Sequence, residues 1–228
     1  MLSVVVPCYN EEKNLPLLVE RFADVLKGKD AELVLVNNGS TDNSPAVIND
    51  LVAMHSFIRC ATVSKNVGYG HGILTGLSAA QGDILAYTHA DLQCEPSDVI
   101  KAYNRLLDHG SRGVLVKGNR EGRSSLLTSL FHLVAAILFF RKFDDINGQP
   151  KVFHRDLLKK FTKPPYGFQF DFYVQYKALQ NGYKVVSIPV TFGERKHGES
   201  KWATSLQSKV KNALRFLGYI LRLRLLGE

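Results

Sequence analysis

Three side chains able to hold a cation stand at alternate positions in the stretch Tyr87-Thr88-His89-Ala90-Asp91-Leu92-Gln93. They follow Gly82-Asp83-Ile84-Leu85-Ala86, an apolar run long enough for one buried strand and too short for a helix. In extended chain alternate residues face the same side, so His89, Asp91 and Gln93 are expected to converge at the open end of a sheet. A carboxylate, an amide oxygen and an imidazole suit a divalent cation, Mn2+ or Mg2+, that keeps positions free for a phosphate-bearing ligand. The same residues also suit a plain strand end and polar turn, with Glu95-Pro96-Ser97-Asp98 opening the next helix. The surrounding chain decides between the two.

The β-branched run Leu2-Ser3-Val4-Val5-Val6-Pro7 is expected to be a buried central strand. A polar turn, Cys8-Tyr9-Asn10-Glu11-Glu12, leads from it to an amphipathic helix carrying Leu15, Leu18, Val19, Phe22, Val25 and Leu26. A second strand, Glu32 to Val36, ends on Asn37-Asn38-Gly39-Ser40-Thr41-Asp42-Asn43-Ser44, rich in turn and helix-capping residues, before a helix over 45–54. A third strand over 58–63 ends on Ser64-Lys65-Asn66-Val67-Gly68-Tyr69-Gly70-His71-Gly72, followed by a helix to about residue 80. This alternation predicts right-handed crossovers and an α/β fold with a mostly parallel sheet flanked by helices. Ligands of such sheets bind beyond the carboxyl ends of the strands, where every one of these polar clusters falls. No Gly-x-Gly-x-x-Gly follows the first strand and no Walker lysine motif is present, so neither a dinucleotide fold nor a P-loop is indicated.

Further along, a helix over 99–107 and a strand over 113–117 precede Gly118-Asn119-Arg120-Glu121-Gly122-Arg123. Residues 126–140 are then apolar almost throughout, shorter than the roughly 20 residues that span a bilayer. With Arg120 and Arg123 before it and Arg141 and Lys142 after it, this segment suits an interfacial helix on an anionic membrane, or a helix buried on the sheet. Asp144 to Phe153 returns toward the strand ends, a helix carries Asp171, and a strand covers 185–188. The tail from Leu206 to Leu226 pairs an apolar helical stripe with Lys209, Lys211, Arg215, Arg222 and Arg224, and suits either a membrane surface or the side of the domain.

The chain of 228 residues carries a net charge of +8, which implies an acidic partner. Nucleic acid is a poor fit, because the basic residues flank apolar helices without aromatic interleaving. The three cysteines show neither a disulfide framework nor metal-type spacing, and no basic leader precedes the first strand. The expected location is therefore cytoplasmic and reducing, peripheral on the membrane's cytoplasmic face.

Val4-Val5-Val6-Pro7-Cys8-Tyr9-Asn10-Glu11 resembles the opening of the family-2 inverting glycosyltransferases of GT-A fold. Asn37-Asn38-Gly39-Ser40 stands where that family usually has Asp-Asp-Gly-Ser, and His89-Ala90-Asp91-Leu92-Gln93 where it has Asp-Ala-Asp-Leu-Gln. Together with Asn147-Gly148-Gln149-Pro150-Lys151 and the Arg195 to Lys201 loop, these motifs are similar to the branch of dolichol-phosphate mannose synthase and bacterial polyprenyl-phosphate glycosyltransferases. The resemblance implies a catalytic domain over 1–202, with an interfacial region at about 120–142 and a basic amphipathic helix over 203–228. It implies a nucleotide-sugar site at Pro7, Tyr9, Asn10, Glu11, Asn37, Asn38, Asn66, Gly68, Ala90, Asp91 and Gln93, with Arg195, Ser200 and Lys201 closing over the diphosphate. It further implies a cation on His89, Asp91 and Gln93, and an acceptor phosphate on Arg120 with Ser129. Asp91, Arg120, Arg195 and Lys201 are thereby the catalytic candidates.

The implied partners are a nucleoside-diphosphate sugar, a polyprenyl phosphate, the membrane surface and, since no spanning segment is evident, a separate anchor protein. A phosphate nucleophile is already ionised and needs orientation more than a base. A hydroxyl acceptor on a glycan would need one, and Asp171 is the candidate unless it is merely a helix-surface acid. Loss of acidic side chains at Asn37, Asn38 and His89 also keeps a non-catalytic sugar-nucleotide binder open. An imidazole in place of a carboxylate at His89 should favour Mn2+ over Mg2+.

Overall fold

The computed structural model describes residues 1–120, 135–141, 143–193 and 206–226. Its centre is a seven-stranded sheet formed by β1 (Leu2–Cys8), β2 (Ala31–Asn38), β3 (Ile58–Val63), β4 (Ile84–Tyr87), β5 (Val114–Arg120), β6 (Lys151–His154) and β7 (Lys184–Val190). The strands lie in the order β3-β2-β1-β4-β6-β5-β7. β6 runs antiparallel to both neighbours, β4 and β5, and the other pairings are parallel. The helices are α1 (Leu15–Leu26), α2 (Ser44–Met54), α3 (Tyr69–Ala79), α4 (Pro96–Asp108), α5 (Phe170–Gln180) and α6 (Leu206–Leu226), with a 3-10 turn at Arg155–Lys160. A short helical stretch covers 135–139.

Period-two alternation divides each strand between the two faces of the sheet. Val4, Val6, Leu33 and Leu35 face a core completed by Leu18 and Phe22 of α1, Ile48 of α2 and Val99 of α4. Val5, Val34 and Val36 face the opposite core, completed by Ile73 and Leu77 of α3 and by Phe170 and Val174 of α5. Both faces are covered, which is why residues 4–6 of β1 and 33–36 of β2 read as unbroken apolar runs. α3 sits directly on the sheet at Gly76, where an added Cβ would lie 2.2 Å from Val5 Cγ1 and 2.6 Å from Val36 Cγ2.

A third cluster joins Ala135, Phe143, Ile146 and Phe172 to Phe216, Ile220 and Leu223 of α6. The tail helix therefore docks one stripe on the domain, while Leu214, Leu221 and Leu225 stay exposed, as do Ile137 and Phe140. Among the described residues, no helix is long and apolar enough to cross a membrane.

Candidate active site

β1 feeds β2 on one side and borders β4 on the other, so the switch in strand order opens a crevice beyond Cys8 and Tyr87. Three loops build its wall. Asn10, in the left-handed region at φ 58, accepts at Oδ1 from Thr41 N (2.8 Å) and donates its backbone N–H to Ser40 Oγ (3.2 Å). Glu11 N donates to Ser44 Oγ at 2.9 Å, and Asn37 Oδ1 accepts from Ser40 N at 3.0 Å. Asn38 donates its amide to the Gly68 carbonyl at 3.1 Å. A carboxylate there could not donate, so the exchange of Asp for Asn at 38 ties the second loop to the third. Nothing in the geometry explains Asn37 in the same way. Gly68, at φ 140, receives its turn from Asn66 Oδ1 (3.0 Å), and a Cβ would lie 2.2 Å from the Tyr166 carbonyl oxygen. Pro7, Tyr9, Asn10, Glu11, Asn37, Asn38, Asn66 and Gly68 are thus gathered at the carboxyl ends of β1, β2 and β3.

The stretch after β4 departs from the alternating geometry. β4 ends at Tyr87, Leu92 takes φ 59, and Asp91 Oδ1 accepts from Gln93 N at 3.2 Å. The chain turns instead of extending, so His89, Asp91 and Gln93 do not line up as a row of ligands. Gln93 donates its side-chain Nε2 to the Gly193 carbonyl (3.1 Å) and its backbone carbonyl accepts from Gly193 N (2.9 Å), which makes it a strap to the segment after β7. Ala90 and Asp91 are buried, at 4% and 6% exposure.

His89 is half-buried and stacks on Tyr69, ring centroids 5.4 Å apart. Burial pushes its pKa down; the Asp91 and Asp171 charges oppose this, and Lys151 and Arg120 add to it. The imidazole is therefore neutral and has a lone pair to offer. Among the described residues no three His, Cys, Asp or Glu side chains form a metal-holding group. An Asp carboxylate beside a neutral imidazole nevertheless fits a Mn2+-like cation that draws its remaining ligands from a diphosphate and water.

Beneath the crevice lies a polar network that the linear chain does not reveal. Asp171, 3% exposed, accepts at Oδ1 from Lys151 Nζ (2.7 Å), Gln149 Nε2 (2.8 Å) and Tyr87 OH (2.9 Å). Gln149 also donates to Tyr69 OH at 3.2 Å, which links the network to the His89 stack. Asp171 is neither a helix-surface acid nor a solvent-facing base; its position on α5 against β6 buries it. Burial pushes the Lys151 pKa down, and the Asp171 charge and hydrogen bond oppose this. Burial likewise pushes both tyrosine hydroxyls well up, reinforced by Asp171, so they stay protonated, and Tyr87 donates to Asp171.

At the end of β5, Arg120 meets Asp145 in a two-pronged pair, Nε to Oδ2 at 3.0 Å and Nη2 to Oδ1 at 2.5 Å. Asp145 Oδ2 also accepts the Arg120 backbone N–H at 2.8 Å, and the guanidinium lies 5.3 Å from the Phe192 ring centroid. Burial would raise the Asp145 carboxyl, but the Arg120 side-chain and backbone hydrogen bonds hold it below the usual carboxylate range. Arg120 thus stands close enough to affect His89, yet it is held by a carboxylate that the resemblance did not single out.

Ser129, Arg195, Ser200 and Lys201 lie outside the described residues. Tyr69, Tyr87, Asp145, Gln149 and Lys151 are additions from the structure. Gln149 and Lys151 fell within the Asn147 to Lys151 motif already noted, and Lys151 and Lys117 follow the further signal of a lysine beside apolar strand residues, since a buried ammonium demands partners.

A search of solved structures returns glucosyl-3-phosphoglycerate synthase from Mycobacterium tuberculosis in complex with Mn2+, UDP-glucose and phosphoglyceric acid. It is 21% identical, with a TM-score of 0.76 over 98% of this chain and 79% of that one. This likeness establishes the GT-A fold. Among curated proteins, the undecaprenyl-phosphate 4-deoxy-4-formamido-L-arabinose transferase of Enterobacter sp. (strain 638) is 29% identical over 89% of this chain and 62% of its own length. The putative glycosyltransferase CsbB of Bacillus subtilis (strain 168) is 29% identical over 90% of this chain and 63% of its own. The chain thus spans less than two thirds of these relatives' length. The family model for glycosyl transferase family 2 matches residues 3–157, which takes in β1 to β6 and both sides of the switch-point crevice, and the chain belongs to that family.

Proposed function

We propose that this chain transfers a hexose-type sugar from a nucleoside-diphosphate donor to a polyprenyl phosphate at a membrane surface, with inversion at the anomeric carbon. The carrying observation is Asp171: the carboxylate in position to serve a hydroxyl acceptor is buried and takes hydrogen bonds from Lys151, Gln149 and Tyr87. A carboxylate buried to this depth and occupied by three donors is not presented to an incoming hydroxyl. An acceptor that arrives ionised avoids the need, and a phosphate monoester with a second pKa of about 6 is largely dianionic near neutral pH. The relative named as an undecaprenyl-phosphate transferase supports the same acceptor class.

In this reading a phosphate oxygen of the acceptor attacks the anomeric carbon in line as the bond to the nucleoside diphosphate breaks, and the bonding pair leaves on the diphosphate oxygen. Asp91 and His89 would hold a divalent cation, which neutralises charge developing on that oxygen. Manganese in a structural neighbour supports this assignment. The first three loops bind the nucleotide, and Arg120 orients the incoming phosphate. By resemblance, Arg195, Ser200 and Lys201 would cover the diphosphate, and Ser129 would assist the acceptor. Exposed Ile137, Phe140, Leu214, Leu221 and Leu225, interleaved with exposed Arg141, Arg215, Arg222 and Arg224, suit an anionic bilayer surface.

Incubation with a panel of UDP- and GDP-sugars and a polyprenyl phosphate, followed by lipid extraction, tests the proposal. Label recovered in the lipid phase is the expected result. Label found only in water-soluble glycan would refute it.

A further inference from the structure

We propose that Asp145 is a positioning residue that orients Arg120 for the acceptor phosphate, an inference that rests on the polyprenyl-phosphate reading. The carboxylate takes the Nε and Nη2 edge of the guanidinium at 3.0 and 2.5 Å, and the Phe192 ring lies beside its face. Among the described residues, the Nη1 nitrogen makes no hydrogen bond. A planar fork held on one edge presents its other edge in a fixed direction, which a flexible ammonium cannot do.

The turn that carries Asp145 is itself fixed from behind by two fully buried ammonium groups. Lys117 Nζ donates to the carbonyls of Gly118 (3.1 Å) and Asp145 (3.3 Å) and pairs with Asp144 at 3.3 Å. Lys151 Nζ donates to the carbonyls of Ile146 (3.0 Å) and Gly148 (3.2 Å) while paired with Asp171. Asp145 also receives the Arg120 backbone N–H, which anchors it to the end of β5. A latch that releases Arg120 when substrate arrives would need freedom to swing away, and swinging this turn would break the bonds from Lys117 and Lys151 that hold it. The arrangement fits a permanent brace.

The brace predicts an unusual kinetic signature. Asp145→Asn removes a negative charge from beside an incoming dianion, which by itself favours acceptor binding. What it removes besides is the direction of the fork, and misdirection of a nucleophile costs turnover by about 10- to 100-fold. The expected variant therefore binds farnesyl phosphate, a short polyprenyl phosphate, at least as tightly as wild type by calorimetry. Its kcat at saturating farnesyl phosphate, with the sugar nucleotide the wild type uses, falls by that factor.

In an Arg120→Lys background, which has no fork to direct, Asp145→Asn should cost no further turnover. Should Asp145→Asn fail to fold, Asp145→Glu, which keeps the charge but displaces it by a methylene, must show the same loss of kcat. Unchanged kcat in a folded variant overturns the inference, and faster turnover identifies a latch instead. A full additional loss in the Arg120→Lys background shows that Asp145 acts by another route. If wild type transfers nothing to farnesyl phosphate, the acceptor reading itself falls and this inference with it.

Discussion

Replacing Lys151 by methionine keeps the side chain's length and removes its charge, leaving the Asp171 carboxylate buried at 3% exposure without its cation. Removing one partner of a buried ion pair costs about 3–5 kcal/mol, because the remaining charge is neither paired nor hydrated. Two donors remain on Asp171, Tyr87 OH at 2.9 Å and Gln149 Nε2 at 2.8 Å, and these keep the loss toward the lower figure. The carbonyls of Ile146 and Gly148 lose their donor as well, which pushes it up again. At about 2–4 °C per kcal/mol for a chain of this size, Lys151→Met should lower Tm by roughly 6–20 °C. The double variant Lys151→Met/Asp171→Asn removes both charges and leaves an amide oxygen for the two donors, so it should recover most of that loss. Thermal and urea unfolding followed by circular dichroism measure both. A single variant costing less than about 1 kcal/mol, or a double variant less stable than the single, would refute the view of Lys151–Asp171 as a mutually dependent buried pair. The double variant also tests the absence of a base role. Loss of a general base costs about 100- to 10,000-fold in rate, so transfer to a lipid phosphate should fall by far less.

Asp91→Ala should cut turnover by about 100-fold or more while Tm stays within a few degrees of wild type; substantial residual activity would remove Asp91 from the cation's ligands. His89→Asp should shift the metal preference from Mn2+ toward Mg2+, read as the ratio of donor-hydrolysis rates with the two ions, and an unchanged ratio would mean His89 does not touch the cation. Gly76→Ala places a methyl against Val5 and Val36 and should destabilise by about 1–3 kcal/mol in urea unfolding, with no change expected in metal preference. Asp145 has a folded pKa held below its ordinary 3.8, so its contribution is present above that pH and is lost as pH falls through the depressed value. Wild type should therefore lose more stability than Asp145→Asn on acidification below about pH 4, and parallel losses would contradict the pairing with Arg120.

Much of the fold was legible in the chain. Apolar runs at 4–6 and 33–36, at the centres of Leu2–Cys8 and Ala31–Asn38 and alternating with amphipathic helices, point to a parallel sheet covered on both faces. The placement of polar loops at strand ends then put the crevice where the structure has it. The antiparallel β6 was less legible. Only four residues long and buried at all four positions, it carries no alternation, and nothing local states its direction.

The motif after β4 shows the boundary most clearly. Residue types at His89, Asp91 and Gln93 announced cation chemistry, but the inferred geometry assumed extended chain. The turn at Leu92 and the strap from Gln93 to Gly193 come from contacts a hundred residues apart in sequence. Likewise, which face Asp171 shows is set by β6 packing beneath α5, and burial is what converts a candidate base into the partner of Lys151.

Sequence by itself determined the sheet's character, the ends at which ligands gather and the residue types offered there, because periodicity and turn chemistry act over a few residues. Tertiary structure alone decided which charges pair, which carboxylate is buried and which edge of Arg120 is taken by Asp145. Desolvation and hydrogen bonding depend on neighbours that only folding brings together.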